Sequence, residues 1–385
     1  MPWKQVNVNE QRVAFVLQAR EPQANISRLC REFGISRDTG HRWLKRAATT
    51  RTVMELCESS RRPHHSPKHT GEGIELRVEQ LREQTGWGAA KLQWLLAREG
   101  VRLAVSTVHR ILQRRQLIGR KDHHSSALQR FERPEPNQLW QMDGKGQYRL
   151  RQGWCYPLTV LDDHSRYAVG VYALPHWETE QIWPCLEQTF ERHGLPQAML
   201  LDHGVPWWSV TNGHGLTQFS VRLIEQGIDL LYGRPYHPQT RGKIERFHRT
   251  LDHSVRHRGR PMEFAPWPAL LEEFRQQYNQ QRPHAALGMQ PPAQRYRTSS
   301  RPYREKPQPW EYPSGSTVLR LNTRGCLDYA GRRWFVCEAL GSKQVRLQRF
   351  EDRILVSYRH LYIRELHLSS GTTSSLVLPV AGYQA

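Results

Sequence analysis

Residues 137–298 hold the tightest constraint on the fold: strand-like apolar runs come first, and helices alternate with strands afterwards. NQLWQMD is a short β-type run ending in Asp143, and WCYPLTVLDD and RYAVGVYAL are apolar strands around the turn Asp162-Asp163-His164-Ser165. HWETEQIWPCLEQTFERHG has helical spacing, PQAMLLD is a buried-looking strand ending in Asp202, LTQFSVRLIEQ is helical and IDLLY is strand-like. After GRPYHPQTRG comes the helix that carries Glu245. This order predicts an α/β domain with a mixed sheet.

Asp143 and Asp202 thus close strands, and Glu245 lies in the first turn of a helix. On that helix Ile244, Phe247 and Leu251 make an inward i, i+3, i+7 stripe, while Lys243, Arg246 and Arg249 spread outward. Adjacent strand ends can bring the three acids to one sheet edge. Clustered carboxylates repel one another and raise each other's pKa unless cations sit between them. An open set of hard oxygen ligands suits Mg²⁺ or Mn²⁺. Two ions about 4 Å apart can hold the attacking and leaving oxygens of an in-line phosphoryl displacement. Taken singly, each of these acids could equally cap a turn or pair with Arg.

Charge gives the partner. The 385 residues carry 56 Lys and Arg against 36 Asp and Glu, a formal net charge of +20, which draws the chain to polyanions. No stretch approaches the roughly 18 apolar residues of a spanning helix, and MPWKQVNVNEQ lacks a signal-peptide core, so no membrane partner is expected. The six cysteines are scattered without a CxxC pair, which fits a reducing compartment and neither a disulfide framework nor a thiolate zinc site. The expected location is cytoplasmic, associated with the nucleoid through DNA.

Two polar, Pro-bearing stretches, 58–73 and 299–315, read as linkers, with a shorter one at 119–136. They divide the chain into 1–57, 74–118, 137–298 and 316–368, with a tail at 369–385. In 1–57, Ile26, Leu29, Cys30 and Phe33 recur at helical spacing, Gly34 permits a left-handed turn, and Ser36 is placed to cap a cationic helix. Helix, glycine turn, basic helix outlines a helix-turn-helix, with a plain three-helix bundle as the alternative. Its candidate DNA contacts are Arg37, His41, Arg42, Lys45 and Arg46. Residues 74–118 repeat the plan: Leu92, Leu95 and Leu96 share a face, Ser106 is placed as a cap, and Val108, Ile111 and Leu112 turn inward. His109, Arg110, Gln113 and Arg114 are then left outside as candidate contacts. In 316–368 five short alternating runs suggest a small β-barrel, whose basic residues either meet phosphates or form a solvated face.

WQMDGKGQYRL, VLDDHSRYAVGVYAL, AMLLDHG, YHPQTRGKIERFHRTL and YNQQRPHAALGMQPPAQRY, in that order, resemble the catalytic core of the retroviral-integrase-like DDE transposases, nearest to insertion-sequence transposases with an N-terminal helix-turn-helix. The likeness spans roughly 138–298. It implies an RNase H-like fold and Mg²⁺-dependent cleavage at transposon ends, followed by strand transfer into target DNA. It also implies a metal-binding triad of Asp143, Asp202 and Glu245 with two ions, Asp143 bridging them. Lys243 and Arg246 resemble basic residues near the DNA, and Asn279, Arg282, Pro283 and His284 resemble a closing motif that locks the last helix onto the core. The chain departs from the pattern at His203, where the family usually has Asn, and in a longer Asp202-to-Glu245 interval containing Trp207 and Trp208. These tryptophans are expected to stack on bases or to pack against the domain. Transposition at two ends implies at least a dimer on double-stranded DNA; a helper protein is left open. The alternatives are a catalytically silent DNA-binding regulator or architectural protein and a nuclease without strand transfer.

Overall fold

The computed structural model describes residues 7–49, 70–118, 132–209, 215–232 and 242–379. The chain divides into two compact units, 1–70 and 71–385.

In the first unit, α1 (Val8–Ala19), α2 (Ile26–Glu32) and α3 (Arg37–Thr49) enclose Phe15, Val16, Cys30, Trp43 and Ala47. The turn before α3 forms as its residues dictate. Gly34 takes φ +65°, and the Ser36 hydroxyl accepts the Thr39 amide at 3.2 Å. Gly40 lies inside α3 because α2 crosses it there: a Cβ at this position would stand 2.5 Å from Cys30 Sγ.

The second unit opens with α4 (Glu72–Thr85), α5 (Ala89–Arg98) and α6 (Val105–Arg114), packed around Val78, Leu81, Leu92, Leu96, Val108, Ile111 and Leu112. Ser106 does not cap α6. The helix starts one residue earlier, after Ala104, with no side-chain cap.

The core follows: β1 (Leu139–Gly144), β2 (Tyr148–Arg149), β3 (Trp154–Asp162), β4 (Ala168–Leu174), α7 (Thr179–His193), β5 (Ala198–Leu201), β6 (Trp208–Ser209), β7 (Gly215–Leu216), α8 (Gln218–Glu225), β8 (Asp229–Tyr232), α9 (Gly242–His257) and α10 (Trp267–Gln280). Its mixed sheet runs β4-β3-β1-β5-β8, with β2 also on β3; β1, β5 and β8 are parallel, and β3 is antiparallel to β1, β2 and β4. This mixed order fits the RNase H-like core that the resemblance implies. One face carries Trp140, Met142, Met199 and Leu201 against Ile182, Leu186 and Phe190 of α7. The other carries Leu161, Ala168 and Val171 against Phe247, Leu251 and Val255 of α9 and Leu271 and Phe274 of α10. Asn279 joins α10 to β4, its amide exchanging bonds of 2.8 and 2.9 Å with the backbone of Ala168.

The expected C-terminal barrel is not closed. β9 (Thr317–Arg320), β12 (Gln344–Phe350), β13 (Arg353–Tyr358), β14 (Leu361–His367) and β15 (Thr372–Pro379) form an open antiparallel sheet in the order β15-β14-β13-β12-β9, while β10 (Cys326–Tyr329) and β11 (Arg332–Phe335) form a separate two-stranded sheet. β15 takes up eight residues of the expected tail. This sheet also has no private interior: Val345, Leu347, Ile354, Val356 and Leu366 belong to one apolar cluster with Phe219, Leu223, Ile224 and Leu230 of the core. Residues 299–315, expected as a linker, begin as a strap on the core. The Arg301 guanidinium donates to Pro196 O and Gly227 O, both at 2.6 Å, and Tyr303 donates to Glu187 at 2.8 Å. Among the described residues no helix is long and apolar enough to cross a membrane.

Candidate active site

Register brings the first two acids together. Leu139 pairs with Ala198, Trp140 with Met199 and Gln141 with Leu200. Carried on by two residues, that parallel register sets Asp143 across from Asp202, on strands about 4.8 Å apart. Trp140, Met142, Met199 and Leu201 face α7, so by strand alternation Asp143 and Asp202 share the opposite face, which carries α9.

Glu245 reaches this edge on α9, whose Ile244, Phe247, Leu251 and Val255 are buried as the stripe requires, leaving Glu245 exposed. Two contacts fix the helix beside Asp143. His248 Nε2 lies 2.8 Å from the hydroxyl of Thr159, which donates at 2.9 Å to the backbone carbonyl of Asp143, its partner across the sheet. One turn on, Asp252 accepts Tyr148 Oη at 2.6 Å and pairs with Lys145 at 3.1 Å, in the turn that follows β1. Glu245 and His248 are three residues apart and so share a side of the helix.

Tryptophans brace the strand ends. A Cβ on Gly144 would meet the Trp177 ring at 2.8 Å, and Trp177 stands edge-on to Trp207 with centroids 5.6 Å apart. Trp207 donates from Nε1 to Asp202 Oδ1 at 2.5 Å, and Gly204 N donates to the same oxygen at 3.0 Å. Both Trp207 and Trp208 are buried and pack against the domain. His203 is exposed, its ring 4.8 Å from that of Trp208.

The other expected site residues fall into two groups. Arg246 and Arg249 are exposed on α9, as are Arg37, His41, Arg42 and Lys45 on α3 and His109, Arg110 and Gln113 on α6. Three others are held by the fold. Arg46 lies over the Trp43 ring, 5.3 Å from its centroid; Arg114 is bonded to Glu75, a buried acid of α4; and Lys243 is bonded to buried Asp163 at 2.5 Å. Burial lowers the Lys243 pKa despite that partner. Asp163 further accepts Gln141 Nε2 and Arg133 N, each at 2.8 Å, so it ties β1 and α9 together as well as standing in a turn. Asp162 serves its turn, accepting Ser165 N and Asn137 N at 2.7 Å.

Among the described residues no three His, Cys, Asp or Glu side chains are grouped closely enough to hold a metal ion. The donor set at the strand ends is nonetheless all carboxylate oxygen, which is the chemistry of Mg²⁺ and Mn²⁺ ligation. Thr159, His248 and the Trp177–Trp207 brace had no signal in the sequence beyond residue type, since each acts through a partner distant along the chain.

Two family models described as integrase core domain match residues 133–238 and 226–292. The insertion element IS407 uncharacterized 31.7 kDa protein of Burkholderia multivorans is 24% identical over 246 residues, 59% of this chain and 82% of that protein. The transposase for transposon Tn552 of Staphylococcus aureus is 26% identical over 144 residues, 32% of this chain and 28% of its own length. Among solved structures, the HTLV-2 integrase catalytic core domain in complex with magnesium is 15% identical, covering 42% of this chain and 97% of its own, with a TM-score of 0.34. The BIV integrase catalytic core domain is 20% identical over 41% of this chain and 92% of its own, with a TM-score of 0.31.

Proposed function

Because this chain carries an integrase core domain of the insertion-element transposase type, we propose that it is a DNA transposase that cuts element ends and joins them to target DNA. The observation that carries this reading is the parallel register of β1 and β5, which aligns Asp143 with Asp202 on the face beside Glu245. In this reading Asp143, Asp202 and Glu245 hold two divalent cations, Mg²⁺ or Mn²⁺. When bound, such a pair supplies Lewis acidity to the attacking and leaving oxygens of phosphoryl transfer. Like charges repel, so the three carboxylates close up only around cations. Thr159 and His248 keep α9 seated against Asp143, and Trp207 fixes the Asp202 carboxylate.

The reaction has two displacements. Water attacks the phosphodiester at an element end, breaking the bond to the 3′-oxygen and leaving a 3′-hydroxyl on the element and a 5′-phosphate on the flank. That hydroxyl then attacks a target phosphodiester, forming a new P–O bond as the target's 3′-oxygen leaves as a hydroxyl, with no covalent protein intermediate. The helical modules act as helix-turn-helix readers of the ends, through Arg37, His41, Arg42, Lys45, His109, Arg110 and Gln113. Arg246 and Arg249 face DNA near the acids, and two coordinated ends require at least a dimer.

The test is a gel assay with pre-cleaved end DNA, supercoiled plasmid and Mg²⁺ or Mn²⁺. The native chain is expected to give joined products, whereas Asp143→Asn, Asp202→Asn and Glu245→Gln each abolish nicking and joining while DNA binding survives. If all three variants behave as the native chain does, the reading gives way to a silent DNA-binding regulator; cutting without joining leaves only a nuclease.

A further inference from the structure

We propose that the β2–β3 hairpin is a docking surface for target DNA, with Arg149 set against a backbone phosphate and Trp154 against the sugar edge beside it. This inference rests on the transposase reading above and gives the second DNA of that reaction a surface of its own.

The hairpin grows out of the strand that carries the first acid. Asp143 pairs with Thr159, and farther along the same ribbon Arg149 pairs with Trp154. Trp154 therefore stands five residues past Thr159 on β3, about 17 Å along the strand, a span of about five base pairs of DNA. Because the chain leaves β1 at its acid end, the hairpin projects outward from that edge. It is a braced arm. Across its tip Leu150 N donates to Gly153 O at 3.1 Å, with Gly153 at φ +76°. Tyr148 donates to Asp252 of α9 at 2.6 Å and lies 4.7 Å from the Trp267 ring. After α9 the chain returns to the arm: the Arg260 guanidinium donates to the Arg149 carbonyl, and Arg151 N donates to Met262 O at 2.9 Å.

The two faces of the arm differ. Tyr148 and Cys155, paired across it, are buried with Phe247 and Trp267. By strand alternation Arg149 and Trp154 share the other face, the guanidinium 5.9 Å from the indole centroid. Trp154 is 38% exposed, and no other tryptophan of the described residues is as open to solvent. Among the described residues no carboxylate pairs with Arg149 or Arg260, whereas Lys145 and Arg256 share Asp252 and Arg151 pairs with Glu263. Uncompensated guanidiniums around an open indole complement a polyanion that also has an apolar sugar edge. Two features favour target DNA over the element end. The α4–α6 bundle, an end reader in the reading above, is seated on α9, with His257 Nε2 2.7 Å from the Glu83 carbonyl, and Arg149 and Trp154 lie on the far side of the hairpin from α9. Contacts to phosphate and sugar also position DNA without reading it, so the surface suits DNA of any sequence.

The test joins a pre-cleaved element-end duplex to supercoiled plasmid with Mg²⁺, using the full chain and varying the plasmid concentration. Arg149→Gln and Trp154→Ala are each expected to raise the plasmid concentration for half-maximal joining about tenfold, and Trp154→Phe to restore most of the loss. Affinity for the element-end duplex and the melting temperature are expected to stay native. For a scrambled-sequence duplex without metal, Arg149→Gln is expected to flatten the slope of log K against log salt by about 1. A native plasmid dependence in both variants overturns the proposal. So does an equal loss of element-end affinity, which would move the surface to the other DNA, or a lowered melting temperature in both variants, which would make the pair structural. A native chain that joins nothing sinks the transposase reading instead; the flattened slope then still upholds the hairpin as a DNA surface, and a native slope overturns it.

Discussion

Trp207 donates its indole N–H to Asp202 Oδ1 at 2.5 Å from a position that is 1% exposed. The bond spans five residues, so the same loop that leaves β5 returns to hold the acid that ends it. Trp207→Phe keeps most of the packing against Trp177 and Phe219 and removes the donor. Partners that orient a metal-ligating carboxylate are worth about 10- to 100-fold in metal affinity or activity. Nicking is therefore expected to fall by that factor, with an upward shift in the Mg²⁺ concentration giving half-maximal rate and unchanged duplex affinity.

Asn279 is 1% exposed and exchanges both amide bonds with Ala168. Asn279→Ala leaves a strand N–H and C=O buried without partners, at a cost of about 2–4 kcal/mol. Urea unfolding should show a lower midpoint for the unit that contains residues 71–385.

Gly40→Ala tests a conflict of signs. Helix propensity favours Ala over Gly by about 1 kcal/mol, but the added Cβ would stand 2.5 Å from Cys30 Sγ and 3.0 Å from the Phe15 ring. Overpacking costs about 1–3 kcal/mol, so the first unit is expected to melt earlier. A gain in stability would mean that α2 can move off α3 without loss.

Lys91 gives a pH dependence. Its folded pKa is about 7 against an ordinary 10.5, through burial and the charges of Arg282 and Arg246; His284, which also feels Lys91, is held down to about 3 and stays neutral. Between about pH 7 and pH 10 the unfolded chain therefore binds more protons at this site, and stability rises with pH. Melting of the native chain should gain on Lys91→Met across that window.

The core was legible because its signals are local. Apolar runs between turn residues marked β1, β3, β4, β5 and β8, and the Ile244, Phe247, Leu251 spacing marked the buried side of α9. The closing role of Asn279 followed from motif likeness. What escaped depends on pairings across the fold. Lys243 looks like an open cation until Asp163, 80 residues earlier, meets it. Arg114 looks outward until Glu75 claims it. β15 reads as a polar tail because TTSS carries no apolar alternation, and only its register with β14 makes it a strand. Barrel closure likewise cannot be read from alternation, since strands that alternate equally well can join an open sheet.

The interior shared by the C-terminal sheet and α8 and β8 has a consequence for dissection of the chain. Cutting at the end of the family-matched region, near residue 292, would unroof Phe219, Leu223, Ile224 and Leu230 and remove the Arg301 strap. A minimal catalytic fragment drawn at that border would be sticky and short-lived, whereas one extended through Pro379 would keep its roof.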